Sequence, residues 1–340
     1  MRNTFLSGAL TLAALAAMAF PTSGNAASSC PLDRPIVFAG LDWDSARFHN
    51  AVAARLLRDG LGCATDEIPG ATIPLTNGLA RGDVDVMMEV WRNNLAQSWI
   101  AAAARGDVLD IGPNFPDAVQ GWYVPAYVVE GPKAPAPDLR HVADLSRYAA
   151  LFQDREEPHK GRFYNCIAGW ACEIVNTRKL EAYGLDRHFT NFLPGTGEAL
   201  AAAIAAAIKR KQPILFYHWS PTRVTGLYDL VRLDEPPYDE AVFARLKVPD
   251  GPLIGATAYP NAIVAIGVNA RFADQTPEIV RILTAYETTA DLVSEALALM
   301  REDGVSADAA AGAFLADHRA KSRDWLPDDA AKRLAATLGE

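Results

Sequence analysis

The chain has 340 residues, half of them hydrophobic and 21% charged. That is enough apolar material for a large core and a length suited to two lobes, which excludes long-range disorder and collagen-like or coiled-coil architecture. The formal net charge is -9, from 32 basic and 41 acidic side chains, and an acidic chain without a basic face is a poor match to nucleic acid.

The first residues read as an address. Arg2 is positive, Phe5 to Phe20 is apolar apart from Ser7, Gly8 and Thr11, and Pro21 ends the run. Gly24-Asn25-Ala26 places small residues at the cleavage positions. We expect a signal peptide over 1–26, a mature start near Ala27 and a periplasmic protein. The apolar run is shorter than the ~20 residues of a membrane span. In an exported chain the four cysteines, Cys30, Cys63, Cys166 and Cys172, are expected to form disulfides. Four cysteines allow three pairings; the local pair Cys166 with Cys172 is preferred, leaving Cys30 with Cys63. No paired C-x-x-C unit is present, and no metal site is expected.

Strand and helix patterns alternate along the chain. Pro35 to Leu41 reads as a buried strand, broken by Asp42-Trp43-Asp44-Ser45. A helix is expected next, capped by Asp44 or Ser45, with Phe48, Val52 and Leu56 on one face. Gly60 or Gly62 ends it. Val84 to Val90 is a second strand, entered through Gly82-Asp83 and ending at Trp91. Tyr123 to Val129 is a third apolar run. Gly197 to Lys211 is the clearest helix, with Leu200, Ile204 and Ile208 four apart. Gln212-Pro213 stops it, and Ile214 to Trp219 is the next strand. From Pro277 onward the period is helical, through Ile279, Leu283, Tyr286, Leu292 and Ala296. The alternation predicts an α/β fold with mainly parallel strands. Breaks at Glu130–Pro137 and Asp234–Tyr238 predict lobe 1 at 27–125 plus 233–340 and lobe 2 at 126–232.

The tryptophans carry the functional signal. Trp43, Trp91, Trp170 and Trp219 each fall at or just past a strand end or in a glycine-containing loop, where α/β sheets bind ligands. Converging there, four indoles form an aromatic cage that holds a quaternary ammonium by cation–π attraction, worth ~2 kcal/mol or more for a desolvated contact. Asp42, Asp44 and Glu89 lie beside cage residues and complement a bound cation. The alternative is a helix cap for Asp44 and a solvent-facing Glu89. The loop before Ile174 opens a helix, so the backbone N–H groups of Ala171 and Cys172 are candidates for a ligand carboxylate. No G-x-S-x-G, H-E-x-x-H, P-loop or G-x-G-x-x-G occurs. His218 is the one candidate base and Cys172 the one candidate nucleophile, and a disulfide would disarm the latter. We therefore expect no enzymatic activity and no cofactor.

These residues resemble the substrate-binding proteins of ABC importers for glycine betaine, proline betaine and choline. The resemblance runs from about Val37 to Leu292. It is carried by GLDWDSARFHNAV (Gly40 to Val52), GDVDVMMEVW (Gly82 to Trp91), GWYVPAYVV (Gly121 to Val129), CIAGWACE (Cys166 to Glu173), AYGL (Ala182 to Leu185), PGTGEAL (Pro194 to Leu200) and FYHWSPT (Phe216 to Thr222). It implies a two-lobed periplasmic binding protein of the type II kind, with the ligand in the cleft between lobes. It also implies an aromatic box of Trp43, Trp91, Trp170 and Trp219, and a disulfide closing the G-W-x-C loop at Cys166 and Cys172. The implied partner is an ABC permease in the inner membrane. Arg92-Asn93-Asn94-Leu95 follows Trp91 where some members have a histidine, Arg223 replaces an aromatic residue, and His218 is unusual at its position. The partner of the ligand's anionic end is therefore open, with Arg223 and Asn94 as candidates and Tyr123 or Tyr127 as a further wall. A different small polar or zwitterionic solute, or a ligand-presenting sensor domain, is the alternative.

Overall fold

The structure is a computed structural model and describes residues 30–302 and 304–339. The leader expected over 1–26 lies outside them. The strands are β1 (Ile36–Leu41), β2 (Thr65–Gly70), β3 (Val86–Trp91), β4 (Val108–Pro125), β5 (Gly161–Tyr164), β6 (Phe189–Phe192), β7 (Leu215–Ser220), β8 (Leu230–Arg232) and β9 (Ala262–Asn269). Their order is β2-β1-β3-β9-β4-β7-β5-β6, with β8 also on β4. Helices cover the strands, giving the expected two-lobed α/β architecture.

The 18-residue β4 joins the two halves. Its residues Val108 to Ala118 pair with β9, and Val119 to Pro125 pair with β7 and β8. The mainly parallel sheet expected from sequence is corrected here. Pairs β1–β2, β1–β3, β5–β6 and β5–β7 are parallel, whereas β3–β9, β4–β9, β4–β7 and β4–β8 are antiparallel. The antiparallel pairs all involve β4 or β9, around which the halves are joined. Parallel pairs lie where a crossover helix returns the chain to the same edge.

Local chemistry accounts for the elements that carry the site. In β1 every residue but Val37 is buried, because helices cover both faces. The following helix, Asp44–Arg55, buries Phe48, Val52 and Ala53. Trp43 occupies its N-cap without a side-chain hydrogen bond, so neither Asp44 nor Ser45 is the cap. The Asp44 carboxylate lies in the first turn, favourable for the helix dipole, and is drawn instead to Arg223 and Arg47. The helix Gly197–Lys209 is capped by Thr196, whose hydroxyl accepts from the Ala199 N–H. The apolar run Tyr123 to Val129 is split: β4 ends at Pro125, and Ala126–Val129 forms one helical turn. Pro125 has no N–H to continue the ladder.

Both expected disulfide pairs are present, Cys30 with Cys63 and Cys166 with Cys172. One apolar cluster lies behind the first half, between Phe48, Leu56, Ile282, Tyr286 and Trp325. A second runs across the cleft, from Leu41 and Trp43 through Trp170 and Trp219 to Phe243.

Candidate ligand-binding site

Each half supplies two indoles to one small cavity. Trp43 follows β1 and Trp91 ends β3. Trp170 precedes the helix Ala171–Ala182, and Trp219 is the penultimate residue of β7. Trp43, Trp170 and Trp219 meet pairwise at centroid distances of 5.2, 5.3 and 6.2 Å, each pair inclined at 80°. Trp91 stands 6.3 Å from Trp219 at 84°. Rings at such angles turn their faces in different directions, as walls of a box do. All four line a cavity of about 60 Å³. One water occupies ~10–15 Å³ of such space, so the cavity suits one small solute or group. The expected cage residues are brought together, and Ala171 and Cys172 line the same cavity. Their amides belong to the first turn of a helix, where N–H groups have no intrahelical acceptor.

The Trp170 loop depends on a glycine. Gly169 has φ of +91°, and a Cβ there would stand 3.0 Å from that of Ala71. The close approach lets the Gly169 carbonyl accept the Ile73 N–H at 3.0 Å, across the cleft. The Trp170 indole N–H donates to Asp42 at 2.8 Å, also across the cleft. At the cleft mouth Arg223 pairs with Asp44 at 2.5 Å and Arg47 pairs with Glu198. The halves are closed on each other.

Other expected residues lie elsewhere. Asp44, His218 and Arg223 line a smaller recess beside the cage, shared with Trp43, Trp170 and Trp219. His218 is buried with neither ring nitrogen hydrogen-bonded; burial lowers its pKa to about 3 and keeps it neutral. Cys172 is tied in a disulfide, so it is no nucleophile. Tyr123 does not reach the cavity. It pairs with Phe216 and packs on Leu200, Ile204 and Val224. Gln120 pairs with Trp219 and Trp122 with Tyr217. The two-residue pleat therefore puts Tyr123 on the opposite face from the cage. The Tyr127 hydroxyl donates to the Gln212 carbonyl outside the cavity.

Sequence reasoning missed several lining residues. Trp99 and Tyr217 add aromatic surface, and Thr72 and Thr76 add polar groups. Asn94, named from sequence as a candidate for the ligand's polar end, also lines the cavity and is only 6% exposed. Its Nδ2 donates to Gln120 Oε1 at 2.7 Å, which also accepts from the Tyr217 hydroxyl at 2.7 Å. Asn94 Oδ1 has no protein partner, so one polar atom of this held side chain is free for a ligand.

Of the two readings of Glu89, the solvent-facing one is excluded: the residue is 1% exposed and lines the cavity. Its Oε2 accepts the indole N–H groups of Trp43 at 2.8 Å and Trp91 at 3.2 Å. Burial pushes its pKa up to about 7, against the lowering effect of Ser45, Trp43 and Trp91. Its Oε1 is unpaired, 3.9 Å from His49 Nε2. His49 donates to or accepts from the Tyr286 hydroxyl at 2.7 Å through Nδ1, and burial lowers its pKa to about 3. Among the described residues, no group of three or more His, Cys, Asp or Glu is placed to hold a metal. Among them, too, no helix is long and apolar enough to cross a membrane.

Comparison with known proteins gives the family of the chain. The chain is 24% identical over 315 residues to the trimethylamine N-oxide-binding protein of Pelagibacter ubique (strain HTCC1062), covering 92% of this chain and 95% of that protein. It is 23% identical over 266 residues to the glycine betaine-binding periplasmic protein OusX of Dickeya dadantii (strain 3937), covering 73% and 75%. Its fold matches that of an ABC-transporter choline binding protein in complex with choline, with TM-score 0.74 and 18% identity over 90% of this chain and 98% of that one. Residues 34–317 match the family model of the substrate binding domain of the ABC-type glycine betaine transport system. The chain belongs to this family of ABC-transporter substrate-binding proteins.

Proposed function

We propose that this protein captures a small solute bearing a trimethylated, positively charged nitrogen and delivers it to an ABC permease in the inner membrane. The observation that carries the reading is the box of four indoles around one small cavity with a buried carboxylate behind two of them. A methylated cation has no N–H to donate. Aromatic faces hold it through their quadrupoles, and closure of the cleft strengthens that attraction by excluding water. The relatives' named ligands, trimethylamine N-oxide, glycine betaine and choline, share the trimethylated nitrogen.

Trp43, Trp91, Trp170 and Trp219 hold the cationic head in this reading. The free polar atom of Asn94 and the amides of Ala171 and Cys172 take the ligand's polar end. Asp44 and Arg223 close the mouth rather than touch the ligand, and His218 backs the Trp219 ring. The change of strand partners within β4 and the packing of Tyr259 against both Tyr217 and Phe243 support a second lobe from Val119 to about Tyr259, wider than 126–232. The leader pattern and two disulfides support export to the periplasm.

A thermal-shift panel tests the reading, since a ligand that binds only the folded state raises its melting temperature. Trimethylamine N-oxide, glycine betaine, choline and carnitine are compared with proline and ordinary amino acids. A shift confined to trimethylated compounds is expected; shifts only with primary amines or amino acids would overturn it.

A further inference from the structure

We infer that Glu89 is a specificity-determining and positioning residue of the cage: its carboxylate fixes two walls by their indole N–H groups, supplies the counter-charge for a bound cation, and couples ligand capture to release of a proton. The inference rests on the reading of the cavity as a site for a methylated cation.

The geometry is that of a buried acid shared between two walls. One oxygen, Oε2, receives both indole N–H groups, from Trp43 and Trp91. These residues come from two elements, so the shared acceptor sets their relative orientation. Pointing both N–H edges at Glu89 leaves the ring faces for the ligand. A hydrogen bond to an anion also pushes electron density into each ring, which strengthens its attraction for a cation.

The same carboxylate lacks a cation. The helix Asp44–Arg55 presents Ser45 and His49 to it, and Tyr286 stands behind His49. His49 is held neutral by burial, and burial raises the Tyr286 pKa well above its usual value. The charged groups Asp42, Asp44, Arg47 and Arg223 sit toward the cleft mouth, and Arg223 and Arg47 are engaged with Asp44 and Glu198. Among the described residues, no Lys or Arg pairs with Glu89. A buried charge without a partner is costly, and in the empty site burial raises the pKa to about 7. A cation entering the cavity favours the ionised form. Binding therefore lowers the Glu89 pKa and expels its proton.

The sign follows from linkage. Affinity for the cation is weakest where Glu89 is protonated in the empty protein. It rises with pH through the empty-state pKa and levels off above it. A fall of one unit in pKa on binding gives an affinity gain of about tenfold between about pH 5.5 and about pH 8.5. A neutral solute of the same shape shows no such gain.

The test is calorimetry of choline and of tetramethylammonium, both permanent cations, on the wild-type protein and E89Q. Glutamine keeps one carbonyl oxygen for the indole N–H groups and removes the charge. Expected are a wild-type affinity that rises about tenfold across that pH range and an E89Q affinity that is weaker above pH 8 and flat with pH. Wild-type binding heats measured near pH 7 in buffers of different ionisation heat should report proton release, which needs no variant and stands even if E89Q fails to fold. A pH-independent wild-type protein, no proton release, or an E89Q protein matching wild type in affinity or in pH profile would overturn the inference. If neither ligand binds wild type at any pH, the reading of the cavity fails instead.

Discussion

Arg223 meets Asp44 across the mouth of the cleft, Nε to Oδ2 at 2.5 Å. One residue opens the short helix Arg223–Leu227 and the other opens Asp44–Arg55, so the bond exists only while the halves are together. Partly exposed ion pairs are individually weak, worth ~0–1 kcal/mol. Arg223→Ala should speed ligand dissociation by less than about tenfold, with the difference shrinking at high salt. Stopped-flow tryptophan fluorescence reads it; an unchanged dissociation rate at low salt would remove this pair from the closure mechanism.

The cage walls should matter far more. Trp170→Ala and Trp219→Ala each remove a ring that meets the other two at about right angles. A desolvated cation–π contact of ~2 kcal/mol predicts at least a tenfold loss of affinity. Circular dichroism should remain native. A folded variant with wild-type affinity would show that the ligand does not sit among these rings.

The two disulfides should separate stability from binding. Cys30 and Cys63 close a span of 33 residues far from the cavity, and loop entropy values that bond at ~4 kcal/mol. Its removal should lower the melting temperature and leave affinity intact. Cys166 and Cys172 span 6 residues around Trp170, and their removal should loosen the loop and lower affinity. The opposite pattern in paired Cys→Ser variants, measured by calorimetry and thermal melting, would contradict this division.

Asn94 should act on the ligand's polar end alone. Its amide is held by Gln120, with Oδ1 free. Asn94→Ala is expected to weaken binding of solutes with a polar tail several-fold. Tetramethylammonium, which has no such tail, should bind equally to both proteins. Equal losses for both kinds of ligand would place Asn94 in the cage wall instead.

Much of the site was legible because the cage tryptophans follow recognisable apolar strands. Trp43, Trp91 and Trp219 could be placed at strand ends from Pro35–Leu41, Val84–Val90 and Ile214–Trp219 alone. Tyr123 misled because a one-residue change of register moves a side chain to the other face of a strand. That register is set by pairing with β7, about a hundred residues away. Tyr217 was overlooked for the same reason. The spacing put Glu89 beside Trp91 as a complement to a bound cation, but its burial and its second indole donor were not readable, because Trp43 lies 46 residues earlier. β2 left no pattern at all: Thr-Asp-Glu-Ile-Pro-Gly is mostly polar and lies at the sheet edge, held by backbone pairing to β1. β4 was hidden by Gly112, Pro113 and Pro116, which the strand accommodates through register shifts against β9.

In the proposed reading the four indoles and Glu89 recognise the charge on the ligand, and not only its shape. The most direct measurement is the dissociation constant of choline beside that of 3,3-dimethylbutan-1-ol, its uncharged carbon isostere. Cation–π attraction of ~2 kcal/mol predicts that the isostere binds at least tenfold more weakly. Equal affinities would mean that the cavity selects apolar shape alone, and the account of a cation cage would be wrong.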